Sequence, residues 1–266
     1  MPRLSAGLLC GLLSATTWAT IQPLTAADCA DLLDNGVLSA ANPVPCERLQ
    51  RVSFSHLDLQ GQLSTGQLIV LDAVAPQVES LMLALRAAKF PLQSALPLTQ
   101  FKGNDVLSMN ANNSSALNGR AVTAGQNWSK HAYGVAIDIN PLQNPYVSFA
   151  DDGTAQILPA ASAKAFLNRA ELRAGKPRRS GMVNEAVVHL FAQHGFMTWG
   201  GDWDSPIDYQ HFEIGSRALI GQLIALDPAA AQASFQQYAD RYRQCAASET
   251  GSLSEIRAVC VAKVRQ

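Results

Sequence analysis

Two short segments constrain this chain more than anything else in it. Val135-Ala-Ile-Asp-Ile-Asn140 and Gln210-His-Phe-Glu-Ile214 each alternate apolar and polar residues. A period of two belongs to a strand with one face in a core, because successive side chains leave the pleat on opposite sides. Val135, Ile137 and Ile139 then face one way on the first strand, and Phe212 and Ile214 on the second. Ala136, Asp138 and Asn140 share the other face of the first strand, as do His211 and Glu213 on the second. Titratable groups are thus laid out on a sheet surface.

The remaining elements follow from period and punctuation. Leu68–Leu71 reads as a strand. Val78, Leu81, Met82 and Leu85 recur at helical spacing within Ala75–Ala88, and Pro91 stops that helix. Residues 161–170 and 183–194 read as helices, with Gly195 where a helix-ending glycine belongs. Further helices are expected over about 216–226 and 229–244. Residues 102–130 are rich in Asn, Ser and Gly. That is long for a structureless loop, and such loops are usually functional. The mixture predicts an α+β fold, with a small, largely antiparallel sheet flanked by helices.

The N-terminus carries Arg3, an uncharged and mostly apolar stretch from Leu4 to Ala19, and small residues Thr25-Ala26-Ala27 before Asp28. This pattern predicts an export signal over residues 1–27; an uncleaved anchor is the competing reading. Beyond it stand four cysteines, Cys29, Cys46, Cys245 and Cys260. In an exported chain they suggest two disulfides, and four cysteines allow three connectivities. Local pairing, Cys29–Cys46 and Cys245–Cys260, closes a short loop at each end. A thiolate zinc site is the rival, weakened by the lack of any C-x-x-C. A periplasmic or secreted, monomeric protein without a stable membrane anchor is expected. The formal net charge of -1 gives no field that would select nucleic acid.

The polar faces carry chemistry. A catalytic zinc site takes three protein ligands from His and carboxylates and leaves one position open. If the two strands are neighbours, His131, Asp138 and His211 can converge on one ion. Asp208 stands three residues before His211, on the wrong face of a flat strand. A turn at Ser205-Pro206-Ile207 would let the two meet. A carboxylate there can take a proton from attacking water and pass it to a leaving amine. From spacing alone, each residue is equally explained as a cap, a turn residue or an exposed side chain.

The stretches SKHAYGVAIDINPLQNPY (129–146) and GFMTWGGDWDSPIDYQHFE (195–213), with FKGNDVLSMNANNSSALNGR (101–120), resemble the VanY-type zinc D-alanyl-D-alanine carboxypeptidases and the related L-alanyl-D-glutamate endopeptidases. The resemblance spans roughly residues 55 to 214. It implies a zinc peptidase domain over 53–215, preceded by a disulfide-closed segment (28–52) and followed by a helical extension (216–266). One Zn2+ would be held by His131, Asp138 and His211, with Asp208 as catalytic carboxylate. Arg120 would hold a substrate carbonyl or carboxylate, and Ser129 would hydrogen-bond the substrate. Tyr133, Tyr146, Trp199 and Trp203 could wall a cleft, and Glu213 could orient His211. The implied substrate is a peptidoglycan stem peptide. The shape of the second motif leans toward the endopeptidase branch, with carboxypeptidase action open. An inactive zinc-containing wall-binding module is the alternative.

Overall fold

The computed structural model describes residues 18–122 and 125–265. Most of the expected leader, residues 1–17 with Arg3 and Cys10, lies outside them. Strand β1 (Ala19–Pro23) pairs antiparallel with β2 (Leu49–Leu57), which pairs antiparallel with β3 (Leu63–Leu71). Helix α1 (Ala26–Asp34) connects β1 to β2 and opens with a capping box between Thr25 and Asp28. The expected leader boundary at residue 27 therefore falls inside folded structure, since β1 and the Thr25 cap precede it. Asp58 turns β2 into β3 by accepting from the Gln60 and Gln62 amides.

Helix α2 (Ala75–Ala87) buries Val78, Leu81, Met82 and Leu85 against this sheet, as its period requires. The polar stretch after it is not structureless. Strand β4 (Ser94–Ala95) pairs in parallel with β5 (Asn113–Ser114), and α3 (Asp105–Asn110) lies between them, capped by Asn104.

Two further small sheets hold the motifs. Strands β6 (Ala136–Asp138), β7 (Tyr146–Phe149) and β8 (Ala155–Leu158) are followed by α4 (Glu185–Gln193), β9 (Thr198–Trp199), β10 (Ile207–Asp208) and β11 (His211–Glu213). One sheet has the order β6-β11-β9, the other β10-β7-β8, and every pairing in both is antiparallel. The core under β11 is aromatic: the Phe212 ring stacks on Phe191 of α4 at 3.7 Å between centroids. Helices α5 (Arg217–Ala225), α6 (Pro228–Ser248) and α7 (Leu253–Arg265) close the chain. The α+β expectation holds.

Both expected disulfides form, Cys29–Cys46 and Cys245–Cys260. The helix expected over 161–170 does not. Only a 3-10 turn, Ala160–Lys164, is present there. Ser162 is drawn inward to donate to the Leu142 carbonyl at 2.8 Å, while Leu167 stays exposed, so no apolar face is available for a helix to bury.

Candidate metal centre

The register of β11 against β6 sets His211 directly opposite Asp138. Directly paired residues send their side chains to the same face, so ring and carboxylate meet without further adjustment. His131 arrives separately, on the 3-10 turn Lys130–Tyr133. Ser129 caps that turn by accepting from the His131 amide at 3.3 Å. Gly134 closes it with φ +66, packed so tightly that a Cβ would stand 2.7 Å from the Leu71 amide nitrogen. The Gly134 carbonyl accepts from that same amide, tying the turn to the end of β3.

Three atoms converge. His131 Nε2 and His211 Nδ1 are 3.1 Å apart, His211 Nδ1 and Asp138 Oδ1 3.0 Å, and His131 Nε2 and Asp138 Oδ1 3.3 Å. All three side chains are buried. Ligand atoms about 2.0–2.1 Å from a tetrahedral zinc stand ~3.3 Å from one another, so this triangle has the size of one tetrahedral face. The same three residues form the candidate metal cluster among the described residues.

The outer nitrogens explain why the inner ones are free. His131 Nδ1–H donates to the Ala116 carbonyl at 2.6 Å. His211 Nε2–H donates to Glu213 Oε2 at 3.1 Å. These partners assign the tautomers and leave three lone pairs aimed at one point, an arrangement that calls for a cation. Without a metal ion, a proton serves. Burial opposes charge on His211, but the Asp138 and Glu213 carboxylates outweigh it and raise its pKa to about 10. Burial likewise opposes the Asp138 anion, yet His131 and His211 hold its carboxyl far below the usual carboxylate range. Glu213 is itself fixed by Lys130, whose Nζ donates to Glu213 Oε1 at 2.7 Å and to the Ile214 and Gly215 carbonyls at 3.0 and 2.5 Å. All three ammonium protons are used.

Asp208 reaches the site by a change of sheet. It ends β10, paired with Tyr146 of β7, and the chain crosses to β11 through Tyr209 and Gln210. The Tyr209 amide donates to Pro145 O, and Gln210 O accepts from Ile139 N. The expected turn at Ser205-Pro206-Ile207 is not what joins the two, since Ile207 already lies in β10; the chain turns instead at Tyr209–Gln210, and that crossing brings Asp208 to the side of His211. Asp208 Oδ1 is sealed from solvent without a hydrogen-bond partner. Burial, reinforced by the Asp138 charge, pushes its carboxyl up to about 7.

The other expected residues divide. Trp203 packs its ring 5.3 Å from that of His211 and walls the cluster. Tyr146 is the register partner of Asp208. Trp199 lies behind the sheet, near Phe212, with its indole N–H donating to Tyr209 O. Tyr133 packs against the core, and Ser129 serves as a cap. Arg120 is tied to the site through its backbone, since its carbonyl accepts from the Ser129 amide at 3.0 Å. Its guanidinium is 37% exposed and meets Asp105 of α3 at 3.2 Å. Lys130 and Gly200 carry no sequence signal of their roles. Gly200 leaves room for Asp208, because a Cβ there would stand 2.5 Å from the Asp208 carbonyl oxygen. A cavity of about 160 Å³, lined by Asp31, Arg51, Gln67 and Gln100 among others, includes none of these groups.

Residues 123–214 match the family model described as D-alanyl-D-alanine carboxypeptidase. The match contains His131, Asp138, Asp208 and His211, in agreement with the resemblance read from the sequence. Comparisons with curated proteins and with solved structures return no match.

Proposed function

We propose that this protein is a zinc metallopeptidase that trims peptidoglycan stem peptides, acting as a carboxypeptidase on a terminal D-Ala-D-Ala bond. The observation that carries the reading is the triangle of three inward lone pairs beside a buried, partnerless carboxylate oxygen. His131 Nε2, Asp138 Oδ1 and His211 Nδ1 would hold the ion, which supplies Lewis acidity toward a carbonyl and toward water near neutral pH.

The protein's own groups do the rest. Asp208 in its ionised form accepts a proton from the attacking water and returns it to the leaving amine as the C–N bond breaks. With its pKa raised to about 7 in the metal-free site, it can act in both directions near neutrality. Trp203 shields the His211 side of the cluster from solvent. Arg120 already holds a carboxylate, that of Asp105. A substrate ending in a carboxylate could take the place of Asp105, and this, with the matched family's description, favours carboxypeptidase over endopeptidase action.

The test is product identity. Purified protein is incubated with stem pentapeptide and with isolated peptidoglycan, with and without chelator, and products are read by mass spectrometry. Chelator-sensitive loss of one D-alanine is expected. Cleavage between L-Ala and D-Glu would move the assignment to the endopeptidase branch. No cleavage by folded, zinc-loaded protein would leave the wall-binding alternative.

A further inference from the structure

The C-terminal helices lie beyond the stretch matched by the family model, yet they touch the site. Cys245–Cys260 fastens α7 to α6. From α7, Arg257 reaches the turn formed by Gly200–Asp202. Its Nη1 and Nη2 donate to Asp202 Oδ2 and Oδ1 at 2.6 and 3.0 Å, and its Nε donates to Glu185 Oε1, at the start of α4, at 2.7 Å. The guanidinium is only 12% exposed. A fork held on two edges by two carboxylates fixes direction as well as distance, unlike a single-contact surface pair.

The clamped turn makes the contacts that matter for catalysis. Gly200 lies against the Asp208 backbone, and Trp203, one residue past the turn, packs on the His211 ring. The Trp203 amide donates back to Gly200 O at 3.3 Å, which ties Trp203 to the start of the turn. We propose that Arg257 is a positioning residue for the active site: by gripping Asp202 it holds the 200–203 turn, and through the Gly200 contact it holds Asp208, in working register. The helical extension is then a brace for the catalytic carboxylate. Its catalytic consequence rests on the peptidase reading; the grip itself does not.

The full chain is compared with Arg257→Gln, Asp202→Asn and the double variant. Hydrogen exchange over residues 198–209 reads the turn, and kcat and KM on stem pentapeptide and zinc affinity read the site. Each single variant should speed exchange in this segment and lower kcat roughly tenfold, with KM and zinc affinity within about twofold. The double variant should be no worse than the worse single, because both remove one clamp. A brace with no positioning role would lower thermal stability alone. Unchanged exchange, faster exchange with unchanged kcat, or additive losses overturn the proposal. Should Arg257→Gln fail to fold, Asp202→Asn reads the same contact. A wild type that binds zinc and cleaves nothing would overturn the peptidase reading instead, while exchange still decides whether Arg257 holds the turn.

Discussion

Gly200 and Asp208 touch through their backbones: a Cβ on Gly200 would stand 2.5 Å from the Asp208 carbonyl oxygen and 2.9 Å from its Cβ. Neither obstacle is the flexible end of a side chain. Gly200→Ala must therefore shift the strand that carries Asp208. Displacing a reacting group by about 1 Å can cost roughly 10²-fold in rate. We predict a loss of that order in kcat, with zinc affinity unchanged, read by steady-state kinetics beside a chelator-competition titration. Full activity in this variant would mean that the contact does not place Asp208.

The acid limb of the pH profile should report Asp208. As a base it works ionised, so activity falls as pH drops through its pKa. In the metal-free site that value is about 7, raised by burial and by the Asp138 anion. A bound cation attracts the carboxylate and moves the value down. The acid limb of kcat/KM should therefore have its midpoint at or below about 7. Asp208→Asn should abolish that limb and cost about 10²–10⁴-fold in kcat while retaining zinc.

Lys130 and Glu213 should tune the metal without touching it. Glu213 accepts from His211 Nε2–H, and Lys130 holds Glu213. Losing such an outer partner typically weakens metal affinity by about 10–100-fold. Glu213→Gln and Lys130→Met should both fall in that range by chelator competition, with far-UV circular dichroism unchanged. Wild-type affinity in both would show that the Ile214 and Gly215 carbonyl contacts are the whole purpose of Lys130.

Lys130 and Gly200 mark the limit of what could be read from sequence. Alternation placed His211, Asp138 and the core side chains on their proper faces, because a strand's period is local. Motif order singled out the three side chains that converge, His131, Asp138 and His211. The partners of Lys130 lie more than 80 positions away, and those of Gly200 are backbone atoms; neither leaves a local pattern. The 161–170 helix failed for the converse reason. Its composition suited a helix, but the surrounding structure offers it no apolar surface. Trp199 and Tyr133 were expected at a cleft because they are aromatic, and the structure packs them behind the sheet and against the core.

The C-terminal disulfide should be worth real stability. Cys245 and Cys260 are 15 residues apart in sequence, and closing a loop of that size contributes about 3 kcal/mol. For a chain of this length each kcal/mol moves Tm by about 2–4 °C. Replacing both cysteines by serine should therefore lower Tm by about 6–12 °C in a calorimetric scan. A shift under about 2 °C would mean that the packing of α7 on α4 and α6 holds the hairpin without the bond.

The central claim is that His131, Asp138 and His211 hold one catalytic cation. The most direct measurement titrates zinc into metal-free protein while following stem-peptide hydrolysis. Activity should rise in proportion to added zinc, level off at one equivalent per chain, and be lost in Asp138→Asn. Hydrolysis that ignores zinc, or folded protein that binds one equivalent and cleaves nothing, would contradict the account.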